Sequence, residues 1–248
     1  MVKERCRPYL RRQMNRTECK RRMMQGRLER RGFLAGAAAL TAAPWAPAQA
    51  ASALPVPPSG QMRFQILRNG SPIGEQLMTF TQDGDGLKVD IQADMVVTIA
   101  GIPVFRYRGH AVEQWRGDAF VGLQSQVNHN GTLLSVQASP IPGGFAVQAT
   151  KAGDYQYTGT PPMLPLTYWN RAMLQAMILN VETGRHYPAI VNSPGWNKLP
   201  DANGGTILAQ RFDVTGKLHL SIWYDQQNQW SGLAFHVDGY EMFRKYVA

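Results

Sequence analysis

The segment Leu87–Ile99 restricts this chain more than any other. Every second residue is apolar: Leu87, Val89, Ile91, Ala93, Met95, Val97 and Ile99. The residues between them open with Lys88, Asp90, Gln92 and Asp94. Side chains alternate faces along a strand, so this pattern predicts a strand with one oily face and one wet face. At about 3.3 Å per residue it reaches roughly 40 Å, beyond the usual strand length. Sheets that long twist and curl. The expectation is a mainly β fold: a long, curved antiparallel meander, half-barrel or barrel, wrapped around an apolar interior.

The flanking sequence extends the pattern. Arg63–Arg68 and Ile73–Gln82 read as strands around Asn69-Gly70, a strong hairpin turn signal. Val104–Trp115 places Phe105, Tyr107, Gly109, Ala111 and Trp115 on one face, with Arg106, Arg108 and His110 on the other. Ala119–Asn128 and Thr132–Ala138 flank Asn130-Gly131, and strands at Phe145–Thr150 and Tyr155–Thr158 follow. Glu182–Val191 reads as strand-like and Asn192–Gly205, rich in Asn, Gly and Pro, as a loop. Hairpins over Ile207–Val214, Lys217–Asp225, Gln229–Val237 and Tyr240–Val247 end the chain.

One stretch breaks the strand pattern. Three prolines between Thr160 and Leu166 preclude regular structure. Thr167 or Asn170 then caps a predicted helix running to about Leu179. Trp169, Met173, Ala176 and Met177 would share one face. A lone oily helix must bury itself, and the concave side of the sheet is the expected place, so the helix would cover or plug it.

The first fifty residues read as an address. A basic stretch leads to Arg30-Arg31 ahead of Phe33-Leu34, then an Ala/Leu-rich run to Ala43 and a small-x-small site at Ala48-Gln49-Ala50. That is the layout of a signal peptide, cleaved after about Ala50. The paired arginines resemble a twin-arginine export signal. The apolar run is about a dozen residues, short of the ~20 that span a bilayer. Translation is expected to begin at Met23 or Met24, leaving residues 1–22 outside the product. A Pro-rich tether over 51–60 would join the leader to a single antiparallel β domain at 61–248.

Removing the leader changes the charge argument. The whole chain is +9, and residues 1–50, with twelve Lys/Arg against three Asp/Glu, carry all of it. Residues 51–248 hold fourteen of each sign. The net charge of the folded domain is therefore no footprint for nucleic acid or acidic lipid, either of which would need a local basic cluster. Cys6 and Cys19 both precede Ala50, so the mature domain has no disulfide, no thiolate nucleophile and no lipid-attachment cysteine, hence no stable membrane anchor.

Motifs for catalysis are absent. No Gly-x-Ser-x-Gly elbow or phosphate loop occurs. The five histidines, at 110, 129, 186, 219 and 236, have no metal-ligand spacing, so neither a metal nor a cofactor is expected. His219, Ser221 and Asp225 share a strand face but spread over about 20 Å, too far for a triad. The C-terminal hairpin has one plain core face. Its other face carries Trp223, Trp230, Ser221 and His236, either lining a ligand site or covering the outside of the sheet.

Several fragments in order are familiar: Arg68-Asn69-Gly70 with Ile73-Gly74, Glu113-Gln114-Trp115, Tyr168-Trp169-Asn170, Trp223-Tyr224-Asp225 and Asp238-Gly239. From about Gln61 to Tyr246 the chain resembles an uncharacterised family of twin-arginine-exported, β-rich bacterial periplasmic proteins. The resemblance brings no catalytic residues. In architecture it is similar to lipoprotein-carrier half-barrels and lipocalin-like barrels. The expected function is periplasmic binding or carriage of an apolar or lipid-like small molecule. Trp169, Met173 and Met177 would act as a lid, with Trp223, Tyr224 and His236 near the cavity. The alternatives are a scaffold without a small ligand and a hydrolase using Asp and His of the C-terminal hairpin. The twin-arginine translocase is the expected partner during export.

Overall fold

The computed structural model describes residues 54–236 and 240–247. The expected leader, with Arg30, Arg31, Ala48 and Ala50, lies outside the described residues, as do 51–53, Ala248, and Val237 with the expected turn at Asp238-Gly239.

The first eight strands are β1 Gln61–Arg68, β2 Ser71–Asp83, β3 Gly86–Ile99, β4 Ile102–Arg116, β5 Ala119–His129, β6 Thr132–Ile141, β7 Gly144–Ala149 and β8 Tyr155–Thr158. Then come β9 Met163–Pro165, β10 Met177–Leu179, β11 His186–Pro188, β12 Ile190–Pro200, β13 Thr206–Thr215, β14 Leu220–Tyr224, β15 Trp230–His236 and β16 Tyr240–Lys245. Thirteen strands form one antiparallel sheet in the order β12-β13-β14-β15-β16-β1-β2-β3-β4-β5-β6-β7-β8. Two meanders, β1 to β8 and β12 to β16, are stitched where Phe64 faces Lys245. At Asn69-Gly70 and Asn130-Gly131 both residues take positive φ, the geometry that matches the twist of two-residue hairpins.

The sheet curls without closing. Its inner-face residues from β1 through β7 and from β13 through β16 belong to one core cluster, from Phe64 and Val89 to Val147 and Leu233. No pairing joins the edges β8 and β12 among the described residues.

Two expectations need correction. The predicted helix over 167–179 does not form, and the described residues contain no α-helix. Asn170 caps a five-residue 3-10 turn, Arg171–Gln175, accepting a hydrogen bond from the Ala172 amide at 3.0 Å. Ala176 is already extended, and Met177–Leu179 pairs with β9 on one side and β11 on the other. Strand pairing gives these backbone groups partners that helix propensity alone could not outbid. The burial expected of the segment does occur. Trp169, Met173 and Ile178 are essentially inaccessible and join the sheet's core. Bonds at its flanks tie the segment down: Tyr155 Oη donates to the Gly184 carbonyl at 2.6 Å, and Tyr224 Oη to that of Tyr168 at 2.7 Å.

The predicted loop 192–205 is largely strand. β12 runs beside β13 with a register shift between Asn192 and Gly195. As an edge strand it tolerates Pro194, whose missing N–H need not enter a ladder. On the outer face, Leu199, Ala209, Trp223 and Ala234 form a second, small cluster. The described part of the Pro-rich segment packs Leu54 and Val56 against the main core.

Candidate functional site

Antiparallel order puts the tips of the β1–β2, β3–β4, β5–β6 and β13–β14 hairpins at one end of the trough. A cavity of about 720 Å³ lies there. Its walls span β5 (Ser125, Val127, His129) to β14 (Leu220). In a flat sheet those strands, seven spacings apart, would stand roughly 34 Å from each other. Only a curled sheet brings both to one space. Ile91, Met95, Phe105, Phe235 and Phe243 supply much of the apolar lining, and Leu166, Tyr168 and Val181 of the crossing segment cover it.

A few polar groups face this space. His129 Nδ1 lies 2.9 Å from Glu182 Oε1. A carboxylate only accepts, so Nδ1 carries the proton and Nε2 is the ring's remaining site. Tyr107 and Phe105 meet the His129 ring edge-on. Burial, with the nearby Glu182 charge, pushes the Tyr107 and Tyr168 phenols well above their ordinary range, so both stay neutral hydrogen-bond donors. Ser125 Oγ is buried and has no protein partner. Arg68 stands at the rim, 3.6 Å from Glu241, with Lys217, His219 and His236 nearby.

Local backbone builds this arrangement. Tyr168 sits at φ +75, a left-handed conformation that costs a bulky residue about 1–3 kcal/mol. The Tyr224 hydroxyl on its carbonyl and its ring against Trp230, centroids 5.3 Å apart, hold it there. Gly109 leaves room for the Tyr107 ring, which a Cβ would meet at 3.0 Å.

Beneath the cavity is Glu113, fully buried on the oily face of β4. Its Oε2 accepts from the indoles of Trp115 at 2.8 Å and Trp169 at 2.9 Å. Its Oε1 makes no well-formed hydrogen bond. Burial raises its pKa above the ordinary carboxyl value, against the lowering pull of the Thr167, Trp115 and Trp169 side chains.

Of the six residues singled out from the sequence, His236 lines the cavity. Trp169 and Met173 are inaccessible core, and Met177 is a half-buried β10 residue. Tyr224 is core, bonded to the covering segment. Trp223 lies on the outer face, donating to Asn197 at 3.0 Å under the Arg211 guanidinium. Among the described carboxylates near the C-terminal strands, Asp213 is engaged by Ser221 at 2.6 Å and Arg211 at 2.7 Å, and Asp225 by the amides of Gln227 and Gln229. Ser125, four residues from His129 on one strand face, is about 13 Å from it along the backbone, too far for a Ser-His relay.

Sequence reasoning missed Glu113, Ser125 and the His129–Glu182 pair. Glu113 and Ser125 each carried a signal, a polar residue at an inward position of an alternating strand. The pairing of His129 with a residue 53 positions away carried none.

A family model described as a domain of unknown function, DUF6134, matches residues 64–247. The chain belongs to the DUF6134 family. The matched region holds every residue that lines the cavity, from Arg68 to Phe243. No curated protein and no solved structure matches the chain.

Proposed function

We propose that this DUF6134 domain binds or carries an apolar, lipid-like small molecule. The cavity is the observation that supports this. Its volume, about 720 Å³, is typical of small-molecule sites, as is a mostly apolar lining with a few placed polar groups. The polar groups narrow the ligand to an amphiphile. A plain hydrocarbon would leave the Ser125 hydroxyl unpartnered, whereas an oxygen on the ligand could pair with Ser125 or with the neutral phenols of Tyr107 and Tyr168. Twin-arginine export and a periplasmic location belong to the same reading and rest on Arg30, Arg31 and the Ala48–Ala50 site.

The test is direct. Protein purified from the periplasm and sprayed under native conditions is expected to carry a small-molecule adduct. Delipidated protein should take up a fluorescent fatty acid at low micromolar concentration, and unlabelled fatty acid should displace it. No adduct and no saturable uptake would remove the proposal.

A further inference from the structure

The oily stripe of the β3–β4 hairpin runs past the cavity. Met95, Val97 and Phe105 line the cavity. Beyond them Ile99 and Ile102 face each other across the Ala100-Gly101 turn. Ile99 keeps the two-residue period of Met95 and Val97, so it lies on the inner face, with Ile102 beside it. Yet Ile99 is 64% exposed, Ile102 66% and Val104 48%. An apolar prong therefore stands at the cavity's lip.

Its surroundings are basic. From Met95 to Arg108 the chain has no Asp or Glu and two Arg. Arg108 is 2.9 Å from Asp94. At the rim, Glu241 lies against Arg68 and Glu182 against His129. Among the described residues, these carboxylates near the lip are thus each matched by a base. Arg106 and Lys217 are exposed and, among the described residues, have no ion-pair partner.

We propose that this lip docks on an anionic phospholipid surface. Ile99, Ile102 and Val104 enter the boundary between headgroups and acyl chains, while Arg106 and Lys217 meet the phosphates. Apolar insertion beside cations is how peripheral proteins hold such surfaces. Three side chains at a hairpin tip fall short of the ~800 Å² per partner that a stable dimer buries, so a second copy fits the prong less well. The docking gives the cavity a route to a bilayer. In that purpose it rests on the carrier reading, but the docking itself can be tested without it.

The experiment is flotation with phosphatidylethanolamine/phosphatidylglycerol vesicles, beside uptake of a fluorescent fatty acid from solution and from preloaded vesicles. The wild-type protein is expected to float. Ile99→Ser with Ile102→Ser should weaken flotation roughly tenfold or more. That double variant should keep uptake from solution and lose transfer from vesicles. Trp196→Ser, an exposed apolar residue of edge strand β12, should change nothing. In Ile102→Trp the emission should shift to the blue when vesicles are added. Wild-type protein that stays in solution overturns the docking even if the cavity loads normally, and so does a double variant that floats like wild type. Self-association through the lip without flotation overturns it in favour of a second copy. Flotation without any fatty-acid uptake keeps the docking and defeats the carrier reading.

Discussion

Glu113 puts a carboxyl where an alternating strand calls for an apolar side chain, and two buried indoles depend on it. Its folded pKa is raised by burial from the ordinary 4.5. A raised value means that the folded state holds the proton more tightly. The associated stability is full below that ordinary value and is lost as pH rises through the raised one. Glu113→Gln keeps an acceptor for both indoles and cannot titrate. Its urea midpoint relative to wild type should therefore climb as pH rises above the ordinary carboxyl value, and a flat difference would show that the folded carboxyl does not hold its proton more tightly. Glu113→Leu orphans both indole N–H groups and should cost roughly 2–5 kcal/mol at about pH 4, less as pH rises and wild type itself weakens, read from the same denaturation curves. Ser125 behaves oppositely. Its buried hydroxyl has no protein partner, so Ser125→Ala should leave stability unchanged or raise it by about 1 kcal/mol, while weakening uptake of an oxygen-bearing ligand. Both residues are polar intrusions on oily faces, a signal that the reading of the sequence passed over. What they bond, or fail to bond, depends on a segment more than forty positions away and could not be read from the pattern.

Among the elements, period-two alternation was legible wherever the ladder runs unbroken. The long strand expected at Leu87–Ile99 is β3, one residue longer at its start. Alternation misleads where one residue is added. Between Trp223 and Tyr224 the register to β15 shifts, so Trp230 pairs with Tyr224 and Gly232 with Trp223. Trp230 thereby crosses to the inner face, 3.8 Å from Phe64 in ring centroids, although strict alternation put it with Trp223 on the face opposite the plain core. The crossing segment misleads differently. Apolar residues at helical spacing also suit an irregular strap that buries side chains on several sides. A third device is Gly74, beside the bulge between β1 and β2. A Cβ there would stand 1.9 Å from the Asp94 carbonyl oxygen, on the strand that carries Met95. Gly74→Ala must push β3 aside. It should cost about 1–3 kcal/mol by thermal denaturation and reduce fatty-acid uptake as Met95 moves.

At the scale of the whole molecule, a curled sheet left open between β8 and β12 and crossed by a strap holds its free space at one end because the other end is filled. Trp115, Phe120, Phe145, Trp169 and Met173 all belong to the packed core, so among the described residues the room along the inner faces of β2–β5 lies toward the Asn69, Ala100 and Asn130 turns. Curvature was legible from the length of β3. The cavity was not, because it depends on which distant strands end up facing each other. Ala93 tests whether that room is the binding site. It lies on the inner face of β3, between Gln76 and Gly109 in register, and lines the cavity. On one flank the Tyr107 ring covers Gly109 and on the other stands buried Gln76, which directs the indole of Ala93→Trp into the cavity. The variant should melt within a few degrees of wild type, because most of the indole fills empty volume beside the Tyr107 ring. Its fatty-acid uptake should fall more than tenfold. Gln92→Trp, one residue along on the exposed outer face, is the matched control and should bind normally. Were Ala93→Trp to fold and still load like wild type, the ligand would have to sit somewhere other than this trough.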